Sequence, residues 1–96
     1  LANGYAGYPS SSEVRTVRLR IGKEAPPFVR DACWSERETR SVDGDGNLII
    51  EFKTSSVWAV ERDVLAAGGQ VQMLEPDDAR ENVRTAAARM ARVHCQ

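Results

Sequence analysis

The residues best suited to chemistry are two arginines two positions apart, Arg18 and Arg20, in the run Val17-Arg18-Leu19-Arg20-Ile21. Strict alternation is the period of a strand with one buried face, so both guanidinium groups leave the side opposite the core. A guanidinium presents a planar fork of donors that matches the two oxygens of a carboxylate or a phosphate. Two such forks on a central strand could hold an anionic ligand; the plain alternative is cross-strand pairing with an acid such as Glu51. Arg37 and Arg40 enlarge the basic set, although their odd spacing sends them to opposite faces of any strand that carries both. Trp34 offers a ring that either stacks on a base or closes the end of a core.

The remaining candidates give no catalytic centre. His94 is the only histidine and stands next to the C-terminus with no serine or cysteine arrangement tied to it. Its neighbour Cys95 points about 100° away if both are helical. Cys33 and Cys95 lack the CxxC spacing and the companion histidines of a zinc or redox site, which predicts two reduced thiols and a cytoplasmic setting. Asp43-Gly44-Asp45-Gly46-Asn47 starts like a calcium loop, but Leu48 and Thr54 occupy the positions that need glycine and a bidentate glutamate. It is expected to be a hairpin turn. Acid/base or nucleophilic catalysis needs groups converging in one pocket. With no such convergence, no enzyme activity, cofactor or metal is expected.

Bulk properties narrow the classes further. A chain of 96 residues, 42% of them hydrophobic, suits one domain with a single two-layer core. Thirteen basic against fourteen acidic residues leave a net charge of −1, which excludes a polyelectrolyte binder of nucleic acid. Any phosphate contact must be local. Eleven of the thirteen basic residues are arginine, a bias that suits planar recognition and equally suits a GC-rich genome. No apolar run approaches the ~18 residues of a membrane span, and no secretory signal is present. Leu1 in place of an initiating methionine predicts a fragment of a longer protein.

Residues 1–13, with Gly4, Gly7, Pro9 and Ser10-Ser11-Ser12, read as a linker in which only Tyr5 and Tyr8 could anchor to a neighbour. The domain proper is 14–96. After the first strand, Pro26 and Pro27 suit the opening turn of a short helix with Phe28, Val29 and Ala32 as its apolar side. Residues 35–42 read as a polar edge strand, the Asp43 turn follows, and Leu48, Ile50 and Phe52 alternate in an interior strand. Ser55 or Ser56 can cap a helix with the stripe Val57, Val60, Val64, Ala67, stopped at Gly68-Gly69. A last strand over 71–75 leads through Pro76 into an acid-led helix with the narrow seam Ala79, Val83, Ala86, Met90, Val93.

This order predicts an α+β domain: a ferredoxin-like split βαβ (βαββαβ) with a four-stranded antiparallel sheet in the order 4-1-3-2, plus a C-terminal helix. Both crossover helices would then cover one face and leave Arg18 and Arg20 on the other. Trp58 and Leu65, off the main stripe, predict an exposed apolar flank. With Val83 and Met90 of the last seam they are the expected dimer contacts.

Several pieces in this order resemble the C-terminal extension, or WCX, domain of bacterial WYL-domain transcriptional regulators. They are Val17-Arg18-Leu19-Arg20-Ile21, Glu24-Ala25-Pro26-Pro27-Phe28-Val29, Trp34, the Asp-Gly turn before Leu48-Ile49-Ile50-Glu51-Phe52, a helix ending at Gly68, and Leu74-Glu75-Pro76. The chain departs from such domains at Ser35-Glu36-Arg37-Glu38, where many carry a His-Pro-Ser-Gln-like stretch, and at Asp63, where an aromatic is frequent. The resemblance implies a preceding WYL domain, whose exit is the linker, and a helix-turn-helix domain before it. It implies a homodimer that senses single-stranded DNA or a nucleotide-like effector, in some cases within the DNA-damage response, close to the nucleoid. The effector-contact residues expected on this basis are Arg18, Arg20, Trp34, Arg37 and Arg40. An ACT-like small-molecule-binding domain and a plain oligomerisation module are the alternatives.

Overall fold

Why one face of this sheet is buried and the other bare follows from the alternation in its strands. The computed structural model describes residues 13–95, so Tyr5, Tyr8 and most of the expected linker lie outside the described residues. In chain order the elements are β1 (Arg15–Ile21), α1 (Pro27–Arg30), β2 (Thr39–Val42), β3 (Leu48–Thr54), α2 (Val57–Ala66), β4 (Val71–Glu75) and α3 (Asp77–Val93). The four strands form one sheet in the order β2-β3-β1-β4 with every neighbouring pair antiparallel, which read from the other edge is the expected 4-1-3-2.

In β1, Val17, Leu19 and Ile21 are completely buried; Ile50 of β3 and Met73 of β4 join them under the helices. Leu48, Phe52, Val71 and the α2 stripe Val57, Val60, Val64 complete this core, with Ala79 as the contribution of α3. At ~1.5–3 kcal/mol per buried aliphatic or aromatic side chain, this single layer carries most of the gain on folding. Arg15 at the start of β1 donates two hydrogen bonds to the carboxylate of Asp78, one of them 3.0 Å long, and so ties α3 to the sheet. This pairing holds the Asp78 carboxyl below its ordinary range.

Three expectations are corrected. The first helix is a single turn, started by Pro26 and Pro27 as expected, but it buries no residue, and Phe28 is 77% exposed. Only Val29 of its supposed apolar side packs against the core; Ala32 is exposed. A four-residue helix is too short to lay a stripe across the sheet, so α2 and the start of α3 supply the covering layer. The polar strand is also shorter than 35–42, because the Glu38 carboxylate accepts the backbone N–H groups of Trp34 (2.7 Å) and Ser35 (3.1 Å) and bends that stretch into a turn. The third concerns Trp58 and Leu65, which are half-buried and form no exposed patch. The Arg62 guanidinium lies 5.4 Å from the centre of the Trp58 ring.

The hairpin turn stands where it was expected. Asp43 accepts the backbone N–H groups of Asp45 and Asn47 at 2.9 Å each, and Gly46 supplies a φ of 88°. These bonds keep the Asp43 carboxyl ionised to lower pH than usual, with the Asn47 N–H the largest cause. Gly68 and Gly69, at φ 65° and 94°, end α2. Ser56 occupies the α2 N-cap position without using its side chain as a cap, and its own N–H is taken by the Thr54 hydroxyl at 3.0 Å.

Candidate functional site

The register of the sheet arranges its open face in rows. One row crosses Thr39, Glu51, Arg18 and Glu75; the next crosses Ser41, Ile49, Arg20 and Gln72. Arg18 and Arg20 therefore stand on the central strand of the uncovered face, as the alternation predicts. Leu74 is an extra residue in β4 between the partners of Arg18 and Leu19, a bulge that brings Glu75 opposite Arg18.

The two arginines are in different electrostatic settings. Arg18 lies between Glu51 and Glu75, and its Nε is 3.9 Å from a Glu51 oxygen, too long for a direct hydrogen bond but close enough for mutual attraction. Arg20 instead donates from Nε (3.1 Å) and Nη2 (2.6 Å) to the single carbonyl oxygen of the Gln72 side chain. A neutral amide orients this fork, and the Asp43 carboxylate acts on its charge from a distance without a hydrogen bond to it. Arg15, Arg40 and Arg84, by contrast, are each hydrogen-bonded to a carboxylate. Ile49 is only 8% exposed although it lies on the open face and outside the core cluster, between Arg20 and Ser41. Long arginine stems cover apolar neighbours in this way while the charged head stays in water.

The structure separates the other expected contacts. Arg37 belongs to the turn before β2, is exposed, and shares with Thr39, Glu51 and Lys53 a surface recess of about 600 Å³ on the β2 side. Arg40 is on the other face, opposite Ile50 in the register. Its guanidinium donates to the carbonyls of Arg30 (2.7 Å) and Ala32 (2.6 Å) and to the Glu38 carboxylate, and so fastens the end of α1 to β2. Trp34 is half-buried against the core, with its indole nitrogen enclosed and without a hydrogen-bond acceptor among the described residues. It closes one end of the core and does not reach the rows of the open face.

Sequence reasoning missed Gln72 and Glu24. Gln72 was legible as a polar residue in the open-face parity of β4, but only the register places it beside Arg20. Glu24, with Gly22, Asn47 and Gln70, rims a recess of about 330 Å³ where β1 ends beside Arg20 and Gln72.

Of the expected dimer contacts, Val83 packs partly against the core, and Trp58 and Leu65 are half-buried on α2. Met90 is 50% exposed. Cys33 and Cys95 are exposed free thiols, the former donating to the Ser35 carbonyl at 3.4 Å. Among the described residues no helix is long and apolar enough to cross a membrane.

The family model described as WCX domain matches residues 13–91, most of the chain. The chain belongs to the WCX domain family. The matched span runs from just before β1 to near the end of α3, so the WCX match takes in the whole sheet and every residue of both rows. WCX domains are regulatory and are associated with WYL-type transcriptional regulators. No curated protein matches the chain.

Proposed function

We propose that this WCX domain is the dimerisation and effector-sensing extension of a bacterial WYL-type transcriptional regulator, working in the cytoplasm. Its open sheet face meets single-stranded DNA or a related nucleotide-like effector, with the partner WYL domain closing over it. The single observation that supports this most is the Arg20 fork, held by a neutral amide in the centre of an uncovered sheet face. Arg18 adds a second, partly compensated charge, and Arg37 and Lys53 extend the basic groups toward β2. In the same proposal the fold is a ferredoxin-like split βαβ whose first crossover helix has shrunk to one turn. Regulation of a DNA-damage response would follow if single-stranded DNA is the signal.

The role is one of binding, not turnover. Arg18, Arg20, Gln72 and Lys53 offer donors and charge, the means of holding an anionic ligand. The chain's net charge of −1 makes affinity for a bare phosphate chain low and dependent on the local fork. The test is fluorescence anisotropy of a labelled single-stranded oligonucleotide with a protein that carries the WYL domain and this extension. Arg20→Ala should weaken binding about tenfold or more, Arg18→Ala less, and affinity should fall as salt rises. Equal affinity for the wild type and the Arg18→Ala/Arg20→Ala double variant would overturn the effector role and leave these arginines as ion-paired surface.

A further inference from the structure

Arg20 and Glu24 line the same recess, yet no hydrogen bond or ion pair joins them or engages the Glu24 carboxylate among the described residues. Opposite charges that share a recess without closing on each other leave room for a ligand with complementary edges. The geometry of Arg20 sets which edge it can receive. Gln72 takes Nε–H and one Nη2–H, so the end-on pair, Nη1 and the outer Nη2 hydrogen, is the fork left to a ligand. That fork fits two adjacent acceptors. Glu24 is an acceptor only, and its two oxygens fit two adjacent donors.

We propose that this recess takes a guanine base, with O6 and N7 toward Arg20 and with N1–H and the N2 amino group toward Glu24. The assignment rests on the nucleotide-effector role argued above and specifies which base that effector presents. Guanine carries paired acceptors on one edge and paired donors beside them. Adenine, cytosine and thymine do not offer a carboxylate two adjacent donors. A bare phosphate would satisfy Arg20 but be repelled by Glu24. The volume of about 330 Å³ lies at the small end of ligand sites, suited to one base and part of its sugar. Arg20, which lines the recess, shares its face of β1 with Arg18, a second cation within the span of one nucleotide's sugar-phosphate that a free amino acid would not need.

Gly22 supplies a control on size. A methyl group built there would come no closer than 3.8 Å to any neighbour, the nearest being a Glu24 oxygen, so Gly22→Ala narrows the recess at little cost to folding. The experiment is a titration of the ¹⁵N-labelled 96-residue chain with dGMP, dAMP, dCMP, dTMP, inorganic phosphate and glutamate, followed by two-dimensional NMR. Amide shifts confined to the recess, at Arg20, Gly22, Glu24, Gln70 and Gln72, with dGMP at least about tenfold tighter than the other nucleotides, are the expected result. Glu24→Gln should remove most of that preference and, by lifting the repulsion, strengthen binding of inorganic phosphate, and Gly22→Ala should weaken dGMP with the dispersed spectrum intact. Equal binding of all four nucleotides, or an unaltered preference in Glu24→Gln, would overturn the guanine assignment and leave the effector role standing. Tighter binding of glutamate than of dGMP would overturn it in favour of an amino-acid site. Absence of any shift with any nucleotide would overturn the guanine recess of this chain, while the effector role is decided separately by the oligonucleotide anisotropy of the protein that carries the WYL domain.

Discussion

The two faces of this sheet are written into the same residues of β1, and they obey different rules. Val17, Leu19 and Ile21 are fully buried beneath α2 and α3, while Thr16, Arg18 and Arg20, each one residue away, lie on a face that no element of the described chain covers. The covered face tolerates little because its side chains fill space. The open face was free to gather charges, and it did so unevenly, with Arg18 set between carboxylates and Arg20 beside an amide. Neighbouring positions in one strand therefore divide between holding the fold and the ligand contact proposed for the open face.

The sharpest way to break this division is a pair of substitutions one residue apart. Leu19→Ala leaves a cavity at the centre of the core and should cost about 2–5 kcal/mol, a large share of the stability of so small a domain. Arg20→Ala removes two hydrogen bonds to an exposed amide and should cost roughly 0.5 kcal/mol or less while abolishing ligand contact. Urea unfolding followed by tryptophan fluorescence measures both. If Arg20→Ala unfolds the domain as readily as Leu19→Ala, the open face is structural and the division fails.

A second, smaller test compares Arg20 with Arg40, an arginine whose fork is fixed by hydrogen bonds on the covered face. Arg40 spends its guanidinium on two backbone carbonyls and Glu38, so Arg40→Ala strips acceptors at the end of α1 of their donor. The expected cost is about 1–3 kcal/mol, with affinity for the effector unchanged. Loss of oligonucleotide binding in Arg40→Ala at full stability would move the site to the other face.

Much of this was legible in the sequence. Period-two alternation in Val17-Arg18-Leu19-Arg20-Ile21 gives the faces of β1, and the Asp43 turn gives the hairpin that pairs β2 with β3. The parts that were not legible depend on contacts between residues distant in sequence or on a side chain competing with the backbone. Glu38 captures two backbone N–H groups and shortens β2, an event no hydropathy pattern records. Phe28 has the chemistry of a core residue, but a one-turn helix cannot carry it inward. Arg37 and Arg40 differ in parity, but Arg37 lies in the turn before β2, where parity does not apply, and parity says nothing of the two carbonyls from the α1 end that occupy Arg40. Similarly, Arg18 and Arg20 are equivalent by pattern, and only the register and the Leu74 bulge put carboxylates around one and an amide beside the other.

The contrast between covered and uncovered surface continues along α3, where the smallest effect on stability and the clearest effect on assembly are expected. Ala79, Val83, Ala86, Met90 and Val93 share one side of this helix, but Ala79 is buried, Val83 and Ala86 are half-buried, and Met90 and Val93 are 50% and 61% exposed. Seventeen residues make a helix of roughly 26 Å, and its last turns carry the apolar stripe past the sheet that packs its first turns. The first turns carry Asp77, Asp78 and Glu81 together with Arg80 and Arg84, with Asp78 paired to Arg15 and Glu81 to Arg84, whereas the last turns carry Arg89 and Arg92. An antiparallel pair of α3 helices that overlap at their last turns would cover both copies of Met90 and Val93, as a twofold interface requires. Met90→Asp should shift folding stability by less than about 0.5 kcal/mol, because the residue is half-exposed in the isolated chain. In sedimentation velocity at high micromolar concentration the wild type should form a dimer and Met90→Asp a 10.6 kDa monomer. Val83→Asp is the poorer probe, since Val83 packs against the core and its loss would mix unfolding with dissociation. A wild type that remains monomeric, or a Met90→Asp dimer as stable as the wild type, would remove α3 from the interface and leave the exposed end of the seam without a partner in a second copy.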